Sequence, residues 1–252
     1  LLIEDLTFRH TASASDLSLK KNNQELWKTT YDAMNEGDFQ QWPEPGSTSS
    51  SGWMETIWSQ KSPYNDFCPV DPDNGKRSPV GCAATAMAQV VHYHRHVGDI
   101  LLNDNDASYT TPMNDIRIDA DSSRCDFPSF KTLNTLLYRI KEKYYNNSVL
   151  DNEELAALNF VCGIIIEMQY RGHESAAITR NVAVALNEKL RYNSVDFIFA
   201  TQDRFYDVLI ENMINGLPAV LTILGHIIAV DGYNSDGFFH LNFGWGYGNP
   251  DH

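Results

Sequence analysis

An α+β fold is predicted for this 252-residue chain by two features of the sequence. Segments with helical apolar spacing dominate from residue 82 to residue 215. From Ala219 onward the pattern changes to short apolar strands, punctuated by Gly and by Asn-Ser-Asp-Gly. Helices first and an antiparallel sheet second segregate the two kinds of structure instead of alternating them. No internal repeat is present.

Taken in order, Asn23 to Glu36 (NQELWKTTYDAMNE) can form an amphipathic helix, with Leu26, Tyr31 and Met34 near one face. PEPGSTSSSG (Pro43 to Gly52) is a linker by composition, which divides the chain into residues 1–50 and 51–252. Loops follow at Ser62 to Asp66 and Pro69 to Pro79. A helix led by Cys82 then runs to about His94. A polar stretch with turns occupies Asn103 to Asp121. Helical spacing returns at Phe130 to Tyr144, Asn152 to Glu167, Ile178 to Leu190 and Phe205 to Asn215, and strands are expected at AVLTIL, HIIAVDGY and GFFHLNFGWGYG.

Composition excludes several functions. The chain is 42% hydrophobic and 12% aromatic, with a core of ordinary size, yet has no apolar run of the ~18 residues a membrane helix needs. A net charge of −14 without a basic cluster argues against nucleic acid or an anionic membrane surface as partner. Cys68, Cys82, Cys125 and Cys162 are too scattered for a zinc site or a disulfide framework. His92, His94 and His96 do not share one helical face, and NDND (Asn103 to Asp106) lacks a calcium-loop pattern, so no metal or other cofactor is expected.

One stretch carries chemistry. PVGCAATAMAQVV (Pro79 to Val91) places Cys82 at the first turn of a helix of small residues, where the helix field favours a thiolate. A cysteine nucleophile also needs a base, a group that orients the base, and donors for the oxyanion. His226, between a glycine and an apolar strand, is the base candidate. Asn242, one hairpin on, can orient it, and Phe243 and Trp245 can shield that contact from water.

GCAATAMAQVVHYH resembles the active-site helix of the streptopain family of secreted bacterial cysteine peptidases. WSQKSPYNDFCP (Trp58 to Pro69) and LGHIIAVDGYNSDGFFHLNFGWG (Leu224 to Gly246) resemble two further blocks of that family, in the same order, together framing about residues 55 to 246. The resemblance implies a papain-like two-lobed fold, with the cysteine on a helical lobe and the histidine on an antiparallel sheet lobe. It implies Cys82 as nucleophile, His226 as general base and acid, Asn242 as orienter, and the Gln60 amide as oxyanion donor beside the Cys82 N–H. Trp245, Phe243 and Gly225 are assigned to the substrate side of the cleft.

The implied activity is a cysteine endopeptidase, secreted, cell-surface or periplasmic, made as a zymogen. Its partners are polypeptide substrates and its own pro-segment, of which residues 1–50 are the tail. The chain departs from the family pattern at Phe243, where tryptophan is usual, and it stops soon after Trp245, so its C-terminus is expected to be short or trimmed. Rival readings with the same residues are an acyl transferase and a silent papain-like binding or adhesin module.

Overall fold

The computed structural model describes residues 2–4, 52–121, 124–193, 195–233 and 237–246. The expected helix at Asn23 to Glu36, all but Gly52 of the linker, Asn234 to Asp236 of the last turn, and the chain end lie outside the described residues.

The elements follow the sequence closely. Strand β1 (Leu2–Glu4) comes first, then helix α1 (Cys82–His94) and the single turn α2 (Asp104–Ala107). A small ladder, β2 (Tyr109–Thr110) with β3 (Arg117–Ile118), leads to α3 (Phe130–Tyr145) and α4 (Asn152–Ile165). A second ladder, β4 (Gln169–Tyr170) with β5 (Ser175–Ala176), precedes α5 (Thr179–Val184), which continues as a π-helical turn over Ala185–Lys189. Then come β6 (Phe197–Phe199), α6 (Phe205–Ile214), β7 (Ala219–Ile223), β8 (His226–Tyr233) and β9 (Phe239–Asn242).

Local chemistry sets the helix starts. Ser129 accepts from Thr132 N at the start of α3. Asp151 and Glu154 form a reciprocal capping box at α4, each side chain accepting from the other's main-chain N–H. Glu154 is fully buried, and Lys143 and Arg139 of α3 both reach its carboxylate, which supplies the partners a buried charge requires.

The main sheet has the order β6-β1-β7-β8-β9. Strands β7, β8 and β9 are antiparallel, as expected, whereas β1 is parallel to both β6 and β7, making the sheet mixed. Neither β1 nor β6 is legible as a strand in the sequence, because each is only three residues long. Helix α1 packs between α4 and strand β8. Ile227 and Ala229 of β8 join the core on that side, and Ile228 and Val230 join Phe205, Leu209 and Met213 of α6 on the other. Burial on both faces explains why HIIAV reads as an unbroken apolar run.

The segment before α1 is held against it by aromatic packing. Trp58 stacks on Tyr64 at 5.3 Å and packs at a tilt on His92 of α1 at 5.1 Å, and His92 Nδ1 lies 3.0 Å from the Tyr144 hydroxyl. His94 packs edge-on against Tyr93 and Tyr192, while His96 Nε2 lies 3.0 Å from the Leu190 carbonyl. Burial, reinforced by the Arg95 charge, lowers His92 from 6.5 to about 4. An imidazole harder to protonate when folded than when unfolded leaves stability intact above pH ~6.5 and removes it as pH falls towards the folded value. The acid-side loss between these limits is therefore expected to shrink in His92→Gln, which keeps a polar group near Tyr144. Urea midpoints measured across that range check this, and identical pH slopes in both proteins would refute it.

Candidate active site

Four pieces of chain meet at the tip of α1. The first is the turn into the helix. Gly81 has φ 88°, and a Cβ there would meet Met168 Cε and Sδ at 2.8 Å and the Ser175 carbonyl at 3.0 Å. Only glycine both takes this conformation readily and fits against β5 and the β4 approach. Cys82 follows as the first helical residue, partly buried. Ala83, Ala84, Ala86 and Ala88 let α1 settle deep in the core behind it.

The second piece is β8. Leu224 and Gly225 form the two-residue β7–β8 turn, at φ 50° and 80°, which is the primed type that suits a tight hairpin. His226 starts β8 immediately after it. Strand β8 packs against α1, the helix that Cys82 opens. Burial raises the Cys82 thiol above its ordinary value, while the amides of Ile227, Ala83 and Cys82 itself pull it down. Cys68 and Cys162 are fully buried and also raised, with no comparable set of amide donors.

The third piece is the loop after β9. His226 Nε2 lies 2.9 Å from the Phe243 carbonyl oxygen. A carbonyl only accepts, so Nε2 carries the proton, and in the neutral ring Nδ1 bears the basic lone pair. Nε2 thus meets a main-chain carbonyl where the Asn242 amide was expected. Asn242 Oδ1 accepts instead from Gly244 N at 3.1 Å and Gln89 Nε2 at 3.2 Å, and Asn242 Nδ2 donates to Thr56 O and Gln89 Oε1. A main-chain carbonyl has no side-chain signature, which is why this acceptor is invisible in the sequence. The ring of Phe243 lies parallel to His226, 10° between planes, and Trp245 packs on both at 5.0 and 4.7 Å. Phe243 and Trp245 therefore line the imidazole, and Gly225 stands exposed at the turn beside it.

The fourth piece carries Gln60. Val80 N donates to the Gln60 carbonyl at 3.0 Å, and Gly246 N donates to the Trp58 carbonyl at 3.1 Å. Residues 58–60 are thus strapped between the approach to Cys82 and the loop after β9. Gly244 closes the assembly, since a Cβ there would stand 3.0 Å from Thr85 Cγ2 on α1.

A cysteine opening a buried helix, set against a strand that begins with histidine, is the arrangement of the papain-like fold. The chain belongs to the Peptidase C10 family, whose model matches residues 58–251. It is 29% identical to streptopain of Streptococcus pyogenes over 216 residues, covering 75% of this chain and 50% of the relative. It is 25% identical over 202 residues to the thiol protease/hemagglutinin PrtT of Porphyromonas gingivalis, covering 22% of that protein. The chain therefore spans about half the length of the streptopain relatives it matches. Among solved structures it resembles a prointerpain A fragment of Prevotella intermedia, with TM-score 0.55 and 22% identity over 93% of this chain and 76% of that one. It also resembles active interpain A, with TM-score 0.50 and 24% identity over 80% and 83% of the respective chains.

The turn into α1 yields a test. Gly81→Ala should lower thermal stability and slow alkylation of Cys82, because the new methyl must displace Met168 or shift the helix start. Melting and iodoacetamide labelling that both match the parent would show that the turn tolerates a side chain.

Proposed function

We propose that the chain is the catalytic part of a secreted cysteine endopeptidase that cuts protein substrates through Cys82 and His226. The observation that carries the reading is the Phe243 carbonyl on His226 Nε2, at the start of a strand packed against the helix that Cys82 opens. The carbonyl sets the tautomer, and the packing brings strand β8 to the cysteine helix. A thiol whose proton is held by burial needs a neighbouring base, and His226 is that base. Its imidazolium and the three amides then stabilise the thiolate.

The thiolate attacks the scissile carbonyl carbon, and the C=O electron pair moves to oxygen. The Cys82 N–H and the Gln60 side-chain amide receive that oxyanion. The tetrahedral species collapses, the C–N bond breaks, and the imidazolium gives its proton to the leaving amine. Water then adds to the thioester with His226 taking its proton, which releases the carboxylic acid and regenerates the thiol. Asn242 supports the imidazole through the turn it shapes.

Residues 1–50 are assigned as the tail of a pro-segment joined through the linker. Support comes from β1, whose backbone pairs between β6 and β7, and from the wider structural match to prointerpain A than to the active enzyme. No helix among the described residues is long and apolar enough to cross a membrane.

Labelling with a peptidyl epoxide followed by mass spectrometry tests the core of the reading. Cys82 should be modified in the parent chain and unmodified in folded His226→Ala. Absence of modification in the parent would favour a silent module. Gln60→Ala should lower kcat by ~10²–10³ with little change in KM, since its amide acts on charge that develops at the transition state. An unchanged kcat with raised KM would assign Gln60 to substrate binding. Cutting the linker should accelerate peptide hydrolysis, and equal rates before and after cutting would remove the inhibitory role of residues 1–50.

A further inference from the structure

Gln89 lies on α1, two turns beyond Cys82, and is fully buried. An amide so placed must find partners inside the protein. Its Oε1 accepts from Trp58 N at 3.2 Å and from Asn242 Nδ2 at 3.0 Å, and its Nε2 donates to Asn242 Oδ1 at 3.2 Å. The two amides thus face each other in a reciprocal pair. Asn242 uses its remaining capacity on the Thr56 carbonyl at 2.6 Å and on Gly244 N at 3.1 Å. All four hydrogen-bonding positions of Asn242 are filled, and they admit one orientation. Turning its amide over would set oxygen against the Thr56 carbonyl and nitrogen against Gly244 N–H. Trp58 N fixes the orientation of Gln89 in the same way.

Each arm of this cluster leads into a segment that holds or carries one of the proposed reacting groups. Asn242 accepting from Gly244 N makes a side-chain turn, and the residue inside that turn is Phe243, whose carbonyl holds His226 Nε2. Trp58 lies two residues before Gln60 in the same strapped segment. The helix carrying Gln89 begins at Cys82.

We propose that Gln89 is a positioning residue for the peptidase chemistry: its amide pair with Asn242 locks the turn that aims the Phe243 carbonyl at His226. This rests on the reading of Cys82 and His226 as nucleophile and base. The amide, not merely a side chain of that size, is what the site needs. A carboxylate in its place would turn a second acceptor towards Asn242 Oδ1, whereas a protonated carboxyl could still donate there.

The test uses the whole chain with two substitutions, Gln89→Met and Gln89→Glu. Three quantities are followed: near-UV circular dichroism, iodoacetamide labelling of each thiol against pH, and kcat and KM on a fluorogenic peptide. Gln89→Met, folded, should lose ~10²-fold in kcat with KM nearly unchanged, the scale expected when a reacting group is misplaced by about 1 Å. Its Cys82 labelling should lose the near-neutral and acidic component that a thiolate–imidazolium pair supplies. Gln89→Glu should label Cys82 almost as the parent does at acidic pH and fall progressively behind as pH rises and the carboxyl ionises. Folded Gln89→Met with parental kcat and labelling, or with only KM altered, overturns the proposal. If Gln89→Met does not fold, Gln89→Glu decides, and a variant-to-parent labelling ratio that stays constant with pH overturns it. Parent Cys82 labelling no faster than Cys68, Cys125 and Cys162 would instead bring down the peptidase reading, and this proposal with it.

Discussion

Helix α1 is wedged between α4 and β8, and the rest of the site depends on how close those three elements come. Their approach is permitted by Ala83, Ala84, Ala86 and Ala88, which are almost wholly buried. Larger side chains would push strand β8 away from the helix. The same closeness brings Thr85 against Gly244, and so brings the loop that holds His226 to the helix that holds the cysteine. Small residues here are therefore what lets helix and strand meet.

Close packing creates a second problem, because the strap at residues 58–60 and the loop at 242–246 bring main-chain polar groups into the interior. Gln89 and Asn242 answer part of it. Between them they satisfy Trp58 N, the Thr56 carbonyl and Gly244 N without introducing a charge. Burial raises the Cys82 thiol, and the amide donors lower it.

The sheet links this site to the start of the chain. Strand β1 lies between β6 and β7, and β7 is the hairpin partner of β8, with Ile223 paired to His226. Two strands therefore separate solvent-side changes at β6 from the histidine strand, and one of them comes from the segment before the linker. A strand bonded on both edges is held by its ladder as well as by its covalent connection.

Helix periodicity over Cys82 to His94, Phe130 to Tyr145, Asn152 to Ile165 and Phe205 to Ile214 is set by local spacing, and the sequence alone places these elements nearly to the residue. Strand β8 was equally legible, since its apolar run is bounded by the Leu-Gly turn. Cys82, His226, Asn242 and Gln60 are candidates the sequence itself offers, because side-chain identity marks them. Parallel strands β1 and β6 are not legible in it, being three residues long and defined by pairing with distant partners. Nor is the acceptor on His226, since every residue owns a carbonyl and only the turn around Gly244 decides which one faces the imidazole. Gln89 stood in plain view as a polar residue in an apolar helix, yet its partner lies 153 positions away. Local pattern determines which segments form helices and strands and which side chains can react. Only the tertiary fold decides which backbone groups they meet, because those contacts join residues that the chain brings together from far apart.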